Sequence, residues 1–406
     1  MWTGTMESIV ADNGIALPCA KNIDSHPYAQ ACIQPISSST STLSPTNTPS
    51  PTSEVKRLER EQLETALLAR GATVSNGSGN RAIAEAPDPL RTCFERDRDR
   101  IIHSPAFRRL AGKTQVFIFP DDYQRTRLTH ALEVAQVATA ISRAVGLNVA
   151  LSEAIALGHD CGHGPGGHAS EDALSPFLVD GFDHAPWGAD VTLAPLNLCA
   201  ETLDGIRNHS WTRPMPSTPE GMVVRWADRC AYCAHDLDDA LHSGIVSLSQ
   251  LPASVSEVVG TTRSQQLNTF IRDIIDSIFA TGIIGMSNQV AHALGELRRF
   301  NYEHIYNREE SVAQGEIVMN VLQALVNYFV EHTDELPNDM NGYDYRKYYT
   351  LNFNKEPTLT GTLIDKGDDQ AVRKAVSYIA GMTDKFAFKL AIEKLGWKES
   401  KLPNGV

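Results

Sequence analysis

The sequence has no apolar run long enough to cross a bilayer. It also has no basic-then-apolar leader, because Asp12 interrupts the first apolar residues and Lys21 is the first basic residue. The expected location is therefore the cytoplasm, with no membrane partner. A disulfide framework is missing as well, since seven cysteines, an odd number, are scattered from Cys19 to Cys233. Cys230 and Cys233 form a C-x-x-C, but no second Cys/His pair stands at zinc-finger spacing, so both are expected to be core thiols. Alternating apolar/polar runs are few, glycine-rich strand-to-helix turns are absent, and no repeat of fixed period stands out. Positive charge is scarce too. A net charge of −13 over 406 residues excludes a general nucleic-acid coat, which needs a basic face. Between Arg91 and His130, however, nine Lys/Arg face five Asp/Glu, a local excess suited to an anionic small molecule.

What is present divides the chain. From Pro35 to Ser53, 16 of 19 residues are Ser, Thr or Pro, which cannot bury enough apolar surface to offset its ordering entropy. The segment Glu54–Arg70 has one amphipathic helical pattern, and Gly71–Asn80 reads as a flexible linker. Residues 1–85 are thus expected to be a disordered tail and linker, and 86–400 one domain. That domain reads as all-α. Pro105 in the first turn after Ser104 starts one helix. The segment Thr126–Val145 carries apolar residues at three-to-four spacing, and Ser152–Leu157 follows with Ser152 as its expected cap. Another helix is expected near Ala169, and further ones over 196–209, 220–242, 261–279, 283–332 and 371–395.

The chain is organised around Arg127–Glu171, which holds His130, His159, Asp160, His163, His168 and Glu171 between apolar helical runs. His130, His159, Asp160 and Asp236 are the predicted metal ligands. His159 and Asp160 are neighbours, so they converge on one ion only where a helix ends, as Gly158 and Gly162 suggest. Two imidazoles with two carboxylates leave room for water or substrate oxygens, favouring Mn, Fe, Mg, Ni or Zn in an open site. His168 and Glu171 are three apart and can pair on a helix, a carboxylate-backed imidazole suited to general acid work. His163 and His184 are further candidates for stabilising phosphate charge. Arg127, one turn before His130, and Arg109 and Lys113, one turn apart, are the predicted anion contacts. A divalent metal beside clustered cations suits phosphoryl transfer.

The longer text resembles a known family. Phe94–Leu110, Lys113-Thr114-Gln115-Val116-Phe117, Arg125–His130, Ala154–Glu171, Asn197–Ile206, Ala227–Tyr232 and Tyr378–Asp384 look like the deoxyguanosinetriphosphate triphosphohydrolase branch of the HD superfamily. The resemblance spans about Arg91 to Leu395. It implies a helical HD fold, usually oligomeric, that hydrolyses a deoxynucleoside triphosphate to deoxynucleoside and tripolyphosphate. It implies that His130, His159, Asp160 and Asp236 are ligands, and that His168 with Glu171 is the catalytic pair. His184 would stand near the leaving oxygen, His163 and Arg127 by phosphate, and Gln115 by the sugar. One departure is Gly164-Pro165-Gly166, where many members have two prolines and a phenylalanine. Other readings left open are an HD phosphohydrolase acting as nucleotidase or phosphodiesterase, and a regulator that binds a nucleotide or a single strand without turnover. A deoxynucleotide activator and weak single-stranded nucleic-acid binding belong to the same set of expectations.

Overall fold

The computed structural model describes residues 54–337 and 369–403, and the described residues from Val55 onward belong to one compact unit. The Ser/Thr/Pro-rich stretch lies outside the described residues. Among the described residues all regular structure is helical, apart from isolated bridges between Arg81 and Cys199 and between Thr114 and Thr126. The all-α expectation holds.

The expectation of a disordered tail reaching residue 85 is corrected. Helix α1 (Arg57–Leu67) is followed by a segment whose polar groups are bound one by one to the rest of the unit. Glu64 accepts hydrogen bonds from the Ser75 backbone N–H (2.8 Å) and hydroxyl (3.1 Å). Glu220, fully buried, accepts from the Thr73 N–H and hydroxyl and from the Asn148 N–H. The Arg81 guanidinium is buried against Asp97 at 2.6 Å and also donates to the Cys93 and Asn197 carbonyls. Of the glycines read as linker material, Gly79 is the one where small size permits close approach. Gly79, at φ +81°, lies against the Cys93 and Cys199 side chains.

Helix α2 (Cys93–Ile102) is capped by Thr92, and α3 (Pro105–Arg109) by Ser104, whose hydroxyl accepts from the Phe107 N–H at 3.1 Å. α4 (Arg127–Val145) ends on left-handed Gly146. α5 (Val149–Gly158) is capped by Asn148 rather than Ser152, which is buried inside the helix and shares a 2.7 Å hydrogen bond with Ser142. Then come α6 (Ala169–Leu174), α7 (His184–Trp187), α8 (Ala200–Arg207) and the long α9 (Pro219–His242), capped by Thr218. α10 (Ala253–Val259) and α11 (Arg263–Thr281) follow. The stretch 283–332 is two helices, α12 (Asn288–Asn301) and α13 (Glu309–Glu331), joined through a π-helical turn at Tyr302–Tyr306. The stretch 371–395 is likewise α14 (Asp369–Ala380) and α15 (Asp384–Leu395), broken at Gly381 and restarted by the Thr383 cap.

Two apolar cores result. In the first, α4 packs on α5 and α9, burying Val134, Ile141, Leu151, Ile155 and Val223. In the second, α13 packs against α6, α14 and α15 around Leu174, Val321, Leu325, Ile379 and Phe388. Each such side chain contributes roughly 1.5–3 kcal/mol on burial. A cleft opens where the two cores meet, with Phe117 and Ile305 of the first and Ile118 and Phe182 of the second on its walls.

Candidate metal centre and active-site cleft

Three elements deliver the donors. The first turn of α4 presents Arg127 and His130, both buried. α5 ends at Gly158, where a side chain would strike Ile206 at 2.6 Å, and the chain turns through the Cys161 N–H to Gly158 carbonyl and His163 N–H to Asp160 carbonyl bonds. That ending lets the adjacent His159 and Asp160 converge. The third donor comes from α9, where Asp228 Oδ1 stands 3.1 Å from His130 Nε2 and 3.6 Å from His159 Nε2. One atom each from His130, His159 and Asp228 lies within 4.8 Å of the others, and His159, Asp160 and His209 form a second such group. His159 Nδ1 donates to the Ala156 carbonyl at 2.6 Å, which leaves Nε2 as a buried lone pair without a hydrogen-bond partner. Asp160 is held by Arg127 at 2.8 Å on one oxygen and lies 3.2 Å from His163 on the other. Burial alone would raise the pKa of Asp160, but the charges of His159 and Arg127 hold it well below the usual carboxylate range.

Asp236 does not join this group. It lies two turns beyond Asp228 on α9, about 12 Å along the axis at 1.5 Å per residue. Its Oδ2 accepts the Tyr306 hydroxyl hydrogen bond, and burial pushes its carboxyl up to about 7. Asp228 and His209, neither singled out in the sequence, stand where the donors gather.

Beside the metal-donor group sits a second cluster, His163, His168, Glu171 and His184. Glu171 is its hub: it takes His168 Nδ1 at 3.2 Å on one oxygen, and the His184 N–H (2.9 Å) and Nδ1 (2.6 Å) on the other. His184 is buried and stacks on His163 at 3.7 Å, and its Nε2 is 3.1 Å from His209 Nε2. His168 is open to solvent at the cleft mouth. Burial opposes ionisation of Glu171, yet the bonds from His168 and His184 hold its pKa far below the ordinary value. His184 is disfavoured as a cation by burial, but Glu171 outweighs that and raises its pKa. His163, by contrast, is pushed well down by burial and by the Arg127 charge.

Residues 127–233 match the HD domain family, and residues 284–392 match the phosphohydrolase-associated domain. The chain is 40% identical over 351 residues to a deoxyguanosinetriphosphate triphosphohydrolase-like protein of Caldanaerobacter subterraneus subsp. tengcongensis, covering 85% of this chain and 95% of that protein. A protein of the same description from Desulfatibacillum aliphaticivorans is 42% identical over 298 residues, covering 68% and 84% of the two chains. One from Clostridium perfringens is 37% identical over 342 residues, covering 80% and 93%. The chain belongs to the deoxyguanosinetriphosphate triphosphohydrolase-like family of HD-domain proteins. The HD match begins at Arg127 and ends at Cys233, so it contains Asp228 and stops short of Asp236.

In this family member the cleft encloses about 1030 Å³ and is lined by Gln115, Arg127, His130, Asp160, Asp228 and the Glu171 cluster, among others. Among the groups that line it with unmet hydrogen-bonding capacity are Arg127, through Nε and Nη2, the side-chain oxygen of Gln115, His130 and His163 through Nδ1, and Asp236 through Oδ1. Lys113 and Arg109 do not line it, which corrects their expected role as anion contacts. Lys113 Nζ is turned inward and donates to the His163 and Ala380 carbonyls. Burial and the nearby Arg109 charge push its ammonium down to about 7. Arg109 packs beside Gly381, and burial lowers its pKa. The other end of the cleft is aromatic and cationic, with Arg229 stacked on Trp211 at 3.7 Å and Arg298 over Tyr302 at 4.7 Å. Among the described residues no helix is long and apolar enough to cross a membrane.

Proposed function

We propose that this protein is a metal-dependent hydrolase of deoxynucleoside triphosphates, releasing deoxynucleoside and tripolyphosphate. The observation that carries this reading is the placement of a His130/His159/Asp228 donor group directly beside two imidazoles bonded to one carboxylate, in a single cleft. The names of the relatives point the same way.

The donors fit a divalent ion. His130, His159, Asp160 and Asp228 would hold it, with His209 behind, and the unpartnered Nε2 of His159 is the lone pair such an ion needs. When bound, the ion supplies Lewis acidity to a phosphoryl oxygen and to water. The chain's own residues do the rest. Arg127, fixed by Asp160 through one nitrogen, has two further N–H groups for phosphate oxygens. Gln115 can accept a hydrogen bond from a sugar hydroxyl through its free oxygen. The aromatic end suits the π-face of a base. Water attack on the α-phosphorus breaks the bond to the 5′ oxygen, a poor leaving group near neutral pH. Its proton comes from His168 or His184, both tied to Glu171, which stays ionised throughout.

The test is direct: incubate the full chain with Mn²⁺ and each deoxynucleoside triphosphate, then separate tripolyphosphate from pyrophosphate and orthophosphate. Tripolyphosphate is the expected product. Orthophosphate alone would point to a phosphomonoesterase, and binding without turnover that is indifferent to His168→Ala would point to a regulator.

A further inference from the structure

The loop between α5 and α6 carries His163 and His168, yet little in it dictates a shape. Gly162, Gly164, Gly166 and Gly167 fall within six residues, and the last two have φ of +75° and +62°. Glycine gives the backbone its widest freedom, so such a loop must be held from outside. Its internal bonds are all local: Cys161 N–H to the Gly158 carbonyl, His163 N–H to the Asp160 carbonyl, Gly164 N–H to the Ser170 hydroxyl, that hydroxyl and the Ser170 N–H to the Gly167 carbonyl, and Gly167 N–H to the Gly164 carbonyl at 3.3 Å.

Two buried charged side chains supply the rest. Lys113 ties the His163 carbonyl to the Ala380 carbonyl (2.9 Å), the last residue of α14. Asp384, the first residue of α15, accepts the Gly166 N–H on Oδ1 at 2.8 Å. Its Oδ2 accepts the Thr114 N–H at 2.8 Å and the Thr114 hydroxyl at 2.5 Å. Neither Lys113 nor Asp384 lines the cleft, so neither touches what binds there.

We propose that Lys113 and Asp384 are positioning residues through which the C-terminal helices hold the glycine loop, and with it His163 and His168, in working geometry. The helices α14 and α15 are then a part of the reaction centre that never contacts substrate.

The inference rests in its kinetic arm on the phosphohydrolase reading above; its exchange arm does not. Asp384→Asn keeps shape and volume, but its single amide oxygen can face Thr114 or Gly166, not both. In the Mn²⁺-loaded full chain, kcat is expected to fall about 100-fold, the cost of an ångström-scale misplacement, with KM moving far less. Amide hydrogen exchange over 164–170 is expected to accelerate in Asp384→Asn and in Lys113→Met, while α4 and α5 exchange as in the wild type. Folded variants with wild-type exchange in the loop and wild-type kcat overturn the proposal. If wild type releases no tripolyphosphate, the functional reading falls and the exchange arm alone decides. Should Asp384→Asn not fold, Lys113→Met decides, since it removes the tie to the His163 carbonyl, and wild-type exchange over 164–170 with wild-type kcat in that folded variant is equally adverse.

Discussion

Glu171→Gln is the substitution that probes the proposed proton donor most directly. Among the described residues Glu171 is the carboxylate bonded to both His168 and His184, and an amide in its place presents an acceptor oxygen to one imidazole and an N–H group to the other. A hydrogen bond to a charged partner contributes about 1.5–3 kcal/mol, and 1.36 kcal/mol is one pH unit, so the imidazolium should lose roughly one to two units. The sign follows from His184. Burial alone would lower its pKa, but Glu171 raises it above the ordinary histidine value. A histidine that donates its proton works below its pKa, so wild-type kcat is expected to decline on the alkaline side at that raised value. In Glu171→Gln the alkaline limb should move to lower pH by about one to two units, and kcat at neutral pH should drop by about 10²-fold, the lower end for general acid catalysis. The linkage to stability runs the same way. A raised folded-state pKa stabilises the fold fully below the unfolded value, and this is lost as pH rises through the folded one. The variant's melting temperature should therefore be flatter across that window. The assay is tripolyphosphate release as a function of pH, beside thermal unfolding at the same pH values. An alkaline limb coincident with wild type, at nearly wild-type kcat, would refute the assignment of the proton donor to this pair.

Further expectations concern the metal donors, the loop and the N-terminal segment. Asp228→Ala should strip bound divalent metal while Asp236→Asn retains it, as read by inductively coupled plasma mass spectrometry on the purified proteins; the reverse pattern would return Asp236 to the donor set. Gly167→Ala places a methyl 2.6 Å from Arg127 Nη2 at a φ of +62°. It should cost about 1–3 kcal/mol of stability in calorimetry, and an unchanged melting temperature would contradict that geometry. Arg81→Met leaves the Asp97 carboxylate buried without its partner. A loss of about 3–5 kcal/mol in urea unfolding is expected, and a surface-like loss of a few tenths would mean that segment 55–85 is not integral to the fold.

Much of the helical frame could be read from spacing alone. The apolar stripe of α4 is regular, and the expected Thr126–Val145 and the observed Arg127–Val145 differ by one residue, Thr126 being the cap. The misreadings have specific causes. The π-helical turn Tyr302–Tyr306 keeps side chains at near-helical spacing across a break, so α12 and α13 merged into one stretch. Pro195 and the left-handed Asn197 cut the start from α8, a local backbone event that apolar periodicity does not register. Residues 71–80 look like a linker because their order comes from polar groups meeting Glu64 and Glu220 across the fold, partners that composition cannot name.

Of the four expected ligands the structure gathers His130, His159 and Asp160, while Asp228, not singled out in the sequence, stands where Asp236 was expected, and helix geometry explains the difference. Asp228 and Asp236 are eight residues apart on α9, which turns the helix through 800°, or 80° beyond two full turns. Both carboxylates therefore reach the same cleft, and periodicity alone cannot choose between them. Roughly 12 Å of axial rise separates them, however, so one ion held by His130 and His159 can take only one. The choice falls to what each carboxylate meets. Asp228 faces two imidazoles, and their charges hold its pKa below the ordinary value although burial would raise it. Asp236 faces a tyrosine hydroxyl, and burial leaves it near neutrality at about 7. A carboxylate that stays ionised among imidazoles is prepared for a cation, whereas one shared with a phenol at that pKa is suited to hydrogen bonding. The sequence held one clue, since Asp228 sits inside the Ala227–Tyr232 block that resembles the family, but its bearing on His130 and His159 required the third dimension.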